Sequence, residues 1–257
     1  MKPNTPLQTL LLSLADDELI LGHRDSEWTG HAPILEEDIA FSNIAQDEMG
    51  HALVWYSLVE TDTGRTPDQE AFEREWDSFT CCRFVSYPKG DFAYTIMRQF
   101  LFDQAETVRL ESFLESSHPG LKEAAGKIIR EETYHLMHSQ GLVHRLGDAT
   151  PESRKRMQQA THMAFPQSLG IFEPLEGEAE LVSGGVFAGN RSLQAEWLRR
   201  IIPVLHSVGL SVPADPGGVR DSCIPDYGGR IRDHNEHLKE LVDNLQSVYR
   251  SVPGGTW

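Results

Sequence analysis

Four segments of the chain each carry an apolar stripe at alternating spacings of four and three, and each stripe is broken near its middle by acids, or by an acid and a histidine. This spacing keeps residues on one face of an α-helix. The first stripe is Leu7, Leu11, Leu14, Glu18, Leu21, Asp25, Trp28, and the second is Ile34, Phe41, Ile44, Glu48, His51, Trp55, Leu58. The third is Phe92, Ile96, Gln99, Asp103, Glu106, Leu110, Phe113, and the fourth is Leu121, Ala125, Ile128, Glu132, His135, Ser139, Leu142. A carboxylate on a core face is costly unless a cation, a hydrogen-bond network or water meets it. Four helices that aim acids inward therefore need something in the middle.

The chain order of these interruptions is one acid, Glu-x-x-His, one acid, Glu-x-x-His. That order is the pattern of a carboxylate-bridged dinuclear metal site in a ferritin-like four-helix bundle. Residues i and i+3 of a helix point the same way, so Glu48 with His51 and Glu132 with His135 can each give an oxygen and a nitrogen to one ion. Glu18 and an acid of the third helix, Asp103 or Glu106, would complete or bridge the coordination. Both of the latter lie on the stripe one turn apart, and the longer Glu reaches further. Mixed carboxylate and imidazole donors without thiolate suit two iron ions, with manganese as the alternative.

Chance is the competing account. With 23 Glu and 11 His in 257 residues, 23 × 11 / 257 gives about one Glu-x-x-His by accident, and the chain has three. The third, Glu115 with His118, lies off its stripe before Pro119 and is read as the accidental one. Asp25, near the end of the first helix, is read as a solvated or supporting acid, and Tyr134 as packing. Glu131 points about 100° away from its neighbour Glu132. His23, His31, His138, His144, His162 and His206 lack paired spacing. His234 and His237 look metal-like, but no second cluster joins them. The short basic run Arg154-Lys155-Arg156 reads as a solvated helix face.

The rest of the chain extends the helical reading into one all-α domain over 1–257, with a core bundle over about 5–147 and additional helices over about 150–250. Pro33 suits the first turn of the second helix, whose last turn falls near Glu60, and Asp91 is the N-cap of the third. The fourth helix ends at Gly147. Thr150-Pro151 starts a fifth that reaches about 170, Ser192 a sixth that reaches about 208 and is kinked or ended at Pro203, and a last one spans about 230–250. Residues 62–90, 173–190 and 209–229 read as irregular connections.

Composition narrows the function classes. A formal charge of 23 − 39 = −16 argues against nucleic acid and anionic lipid as partners. No apolar run approaches the roughly 18 residues of a membrane span, and the start Met1-Lys2-Pro3-Asn4 lacks a signal-peptide core. Three cysteines give no disulfide framework, which points to a reducing cytoplasm. No phosphate-binding glycine loop and no Gly-x-Ser-x-Gly elbow occurs, so NAD and flavin are not expected on this chain. Electrons for oxygen chemistry would come from another protein.

The run Glu27-Trp28-Thr29-Gly30-His31-Ala32-Pro33-Ile34-Leu35-Glu36, continued by Asp38-Ile39-Ala40, Asn43-Ile44 and Asp47 to Gly50, resembles the C-type subunits of the bacterial phenylacetate-degradation oxygenases. Glu236-His237-Leu238 and the closing Pro253-Gly254-Gly255-Thr256-Trp257 agree with it. The resemblance implies a multicomponent epoxidase acting on an acyl-CoA, phenylacetyl-CoA. Its partners would be a homologous ferritin-like catalytic subunit with a di-iron site, small accessory subunits, and a flavin and iron-sulfur reductase. A homo-oligomer is a further expectation. The resemblance also implies a structural role, with a degenerate metal site, for the C-type chain. Here Glu18, Glu48, His51, Glu132 and His135 match ligand positions of the catalytic relative, and the same comparison favours Asp103 over Glu106.

Overall fold

The computed structural model describes residues 4–252 and 255. Met1-Lys2-Pro3 and, Gly255 apart, the closing motif 253–257 lie outside the described residues. The fold is all-α and ferritin-like, with ten α-helices among the described residues and one hairpin of two-residue strands, β1 (Ala214–Asp215) and β2 (Gly218–Val219). Contacts divide the chain into two compact units, Met1–Pro88 with Gly228–Trp257, and Lys89–Tyr227.

The first unit is built on α1 (Pro6–Ser26) and α2 (Leu35–Thr63). A capping box starts α1: Thr5 Oγ1 accepts from Gln8 N at 3.2 Å and Gln8 Oε1 accepts from Thr5 N at 3.0 Å, with Pro6 in the first turn. Ile34 is the N-cap of α2 and is half exposed, so the second stripe begins at Phe41 and Pro33 lies before the helix, against expectation. The extended backbone of Ile34, φ −143°, keeps it out of the first turn. Glu36, Glu37 and Asp38 occupy that turn, where the positive end of the helix dipole favours acids. At the other end α2 runs past Glu60 to Thr63 and stops at Gly64, whose φ of 72° suits glycine.

The two helices pair antiparallel, and Gly22 sets their approach. A Cβ at Gly22 would stand 3.0 Å from the Ala45 carbonyl oxygen and 3.0 Å from Glu48 Cβ. The connection 62–90, read as irregular, holds the short helices α3 (Pro67–Phe72) and α4 (Arg83–Ser86), too short for a periodic signal. α10 (Glu236–Ser251) packs against them: Gln246 Nε2 donates to Ala71 O at 3.0 Å, and Tyr249 stacks on Phe72. It starts at 236 instead of about 230 because residues 229–231 form a 3-10 turn closed by Arg232 at φ 64°.

The second unit is built on α5 (Phe92–Phe113) and α6 (Pro119–Ala149), also antiparallel. Asp91 caps α5 through Tyr94 N at 2.9 Å, as the sequence predicts. His118 caps α6 through Leu121 N, which accounts for the accidental Glu-x-x-His pair as a helix start. α5 is buried on every face, with Phe100, Leu101 and Phe102 all at 0% exposure. α7 (Pro151–Ser168) and α9 (Asn190–Ser207) flank it, and α8 (Glu178–Ser183) forms one further short turn. Trp197 of α9 stacks on Phe165 and donates Nε1 to Leu101 O at 3.0 Å. Pro203 does not end α9, which continues to Ser207.

Candidate metal centre

On α1, Asp16, Asp17 and Glu18 are consecutive and all buried, at 0, 0 and 1% exposure. Successive helical residues differ by about 100°, so the three carboxylates leave the axis in three directions. Only Glu18 faces the acid and imidazole of α2. His51 Nδ1 lies 3.7 Å from Glu48 Oε2 and 3.9 Å from Glu18 Oε2, and the three donor atoms fall within 4.8 Å of one another. All three side chains are buried.

These separations fit a shared cation. Oxygen and nitrogen donors about 2.1 Å from one ion lie about 3 Å apart when adjacent and about 4.2 Å apart when opposite. The His51 contacts exceed hydrogen-bond length yet stay inside this span. Two carboxylates and one imidazole, with no thiolate, form a donor set suited to iron or manganese.

The second unit brings together Asp103, Glu132 and His135. Asp103 and His135 offer ligand atoms within 4.8 Å of each other, and Glu132 Oε1 lies 3.1 Å from His135 Nδ1. Asp103 also accepts from Gln99 Nε2 at 2.7 Å and from Ser139 Oγ at 2.6 Å, which fixes both of its oxygens. Glu106 is equally buried but is ion-paired to Arg109 one turn on, and belongs to neither group of prospective ligands among the described residues. Of the two third-helix acids, Asp103 therefore sits with the donors.

Several single-residue expectations change. Tyr134, read as packing, is 68% exposed, because on α6 it points about 100° away from buried His135. Asp25 is fully buried, so the solvated alternative for it is wrong. His234 Nε2 donates to Phe79 O at 2.7 Å, and the His237 ring lies against Tyr87.

The residues that sequence reasoning missed are the partners of the other two acids. Asp16 accepts from Tyr56 Oη at 2.6 Å and Thr80 N at 2.6 Å, and pairs with Arg74. Asp17 accepts from Arg230 Nη1 at 2.9 Å, Arg230 Nη2 at 2.6 Å and Cys82 N at 2.7 Å. The acids themselves were a signal, since three in a row on a buried helix require cations. The arginines lie 58 and 213 residues away and carry no local signature. The same surroundings act on nearby groups: burial, reinforced by Asp16 and Asp17, pushes the Cys81 thiol well up, and burial beside Asp17 raises that of Cys82.

An all-α chain with buried carboxylate and imidazole groups of this kind falls among the ferritin-like carboxylate proteins. The chain belongs to the phenylacetic acid catabolic protein family, whose model matches residues 1–257. It is similar to the C subunit of the 1,2-phenylacetyl-CoA epoxidase of Escherichia coli (strain K12), with 32% identity over 252 residues that cover 98% of this chain and 99% of the relative. Among the described residues, no helix is long and apolar enough to cross a membrane.

Proposed function

We propose that this chain acts in phenylacetate catabolism as the C-type subunit of a multicomponent phenylacetyl-CoA epoxidase, and that it binds metal with its own side chains. Glu18, Glu48 and His51 would hold one ion, and Asp103, Glu132 and His135 a second, with Glu106 serving instead to neutralise Arg109. The observation that carries the metal reading is the buried Glu18–Glu48–His51 group, with donor separations a cation can bridge. Iron, when bound, would supply the activation of dioxygen that an epoxidation needs, with the electrons coming from a reductase. The chain's residues keep the donors out of bulk water, and Gln99 and Ser139 orient Asp103 by hydrogen bonds. A homologous catalytic subunit and a reductase are the proposed partners, and an acyl-CoA the proposed substrate of the assembly.

A second reading, a non-catalytic subunit that stabilises its catalytic homologue, is favoured by one feature. Glu132 is hydrogen-bonded to His135, and Asp103 to Gln99 and Ser139, as in a polar network without metal. Anaerobic reconstitution with Fe(II) separates the two readings. About two iron per chain is expected, falling to about one in Glu18→Ala. A stoichiometry near zero in the wild-type chain refutes the metal reading and leaves the scaffold.

A further inference from the structure

Glu18 reaches Glu48 and His51 of α2 only at one rotation of α1 about its axis, because neighbouring helical positions differ by about 100°. A small rotation of the helix about that axis would swing Glu18 away. Two buried ion pairs on the preceding residues oppose that motion. Asp16 is tied to α2 itself through the Tyr56 hydroxyl and to Arg74 of the segment after α3. Asp17 is gripped by both terminal nitrogens of Arg230, and a fork of this kind fixes orientation as well as distance.

Arg230 is itself held from several sides. Its Nη1 also donates to Ser13 O at 3.2 Å and Thr80 O at 3.0 Å. The backbone that delivers it is pressed onto residues 81–83: a Cβ at Gly229 would stand 2.2 Å from the Cys81 carbonyl oxygen. Gly228 has φ 129°, a conformation L side chains rarely adopt. Further along the same strap, the Arg83 guanidinium donates to Asp233 Oδ2 at 2.6 Å, and Asn235 Oδ1 accepts from Ser86 Oγ at 3.2 Å. So a segment more than 200 residues downstream of α1 is anchored where it can set the rotation of α1 at Glu18.

We propose that Arg230, assisted by Arg74, is a positioning residue that fixes the axial rotation of α1 and thereby presents Glu18 for metal. This rests on the reading of Glu18, Glu48 and His51 as a metal half-site. The test is a titration of the full-length chain with Co(II), followed by visible absorption, in wild type, Arg230→Lys, Arg230→Met and the double variant Asp17→Met with Arg230→Met. Far-UV circular dichroism and metal-free melting record folding. Arg230→Met is expected to weaken Co(II) binding at least tenfold at the Glu18 site and to shift its absorption, with Arg230→Lys intermediate. Removing the stranded acid, the double variant is expected to recover melting temperature but not Co(II) affinity, an outcome that a merely stabilising ion pair would not give. Wild-type affinity and spectrum in the folded double variant, or in Arg230→Met, overturn the positioning role. A wild-type chain that binds no Co(II) overturns the metal reading, and this inference with it.

Discussion

Replacing Glu48 by Gln is expected to stabilise the metal-free chain and to destabilise the metal-loaded one. In the metal-free site the Glu18 and Glu48 carboxylates offer oxygens within 4.8 Å of one another. At an effective dielectric constant of about 20, two full charges at that distance repel by about 3.5 kcal/mol. His51, within 3.9 Å of an oxygen of each, offsets part of this, and a net relief of about 1–2 kcal/mol remains for a neutral isostere. For a chain of this size that corresponds to a melting temperature higher by about 2–8 °C. With metal at about 100 times its dissociation constant, the wild type gains about 2.7 kcal/mol, whereas the variant, short of one anionic ligand, gains little. The two melting curves therefore change order on addition of metal, measured by calorimetry in chelator and then in Fe(II) under anaerobic conditions. If Glu48→Gln melts below the wild type by the same interval in both conditions, the side chain is an ordinary buried hydrogen-bonding group and the metal argument fails.

Thiol chemistry offers a second check. Cys81 and Cys82 are fully buried and held protonated, while Cys223 is half-buried, so a disulfide reagent should modify about one thiol per native chain and three in denaturant; two or more rapid native reactions would contradict the packing around Asp17. The pH dependence of stability supplies a third. Burial lowers His234 below its ordinary 6.5, with Arg83 and Arg230 adding to the shift while the hydrogen bond to Phe79 O and the charge of Asp16 oppose it. Below that pH the unfolded chain takes up a proton that the folded chain resists, so stability falls as pH drops through 6.5 towards the folded value. Urea midpoints at pH 7.5 and 5.5 should differ less in His234→Asn than in the wild type, and an equal difference removes His234 from the account.

The long helices and the inward acids were legible because both rest on local periodicity. A stripe at four and three, a Thr-Pro or Asp start and a Glu-x-x-His pair are statements about residues within a few turns, and α1, α2, α5 and α6 follow them closely. The departures are also local in origin: Ile34 is extended, and α3, α4 and α8 are shorter than the window in which a period can be recognised. Between Asp103 and Glu106 the pattern was silent, since both lie on one stripe. Arg109 settled their surroundings by taking Glu106, and Gln99 and Ser139 by taking Asp103.

What the sequence determined by itself is an all-helical chain that must bury carboxylates and imidazoles together, because the apolar faces that drive the helices inward carry those groups with them. What only the tertiary structure decided is which cation each buried acid meets. Asp16, Asp17 and Glu18 are chemically alike neighbours, yet one is answered by Arg74, one by Arg230, and one is turned towards Glu48 and His51. The direction of each is fixed by helix geometry, but the arginines that meet Asp16 and Asp17 are brought by chain segments 58 and 213 residues distant. No local pattern records such a meeting, because electrostatic pairing depends on distance in space and not on position along the chain.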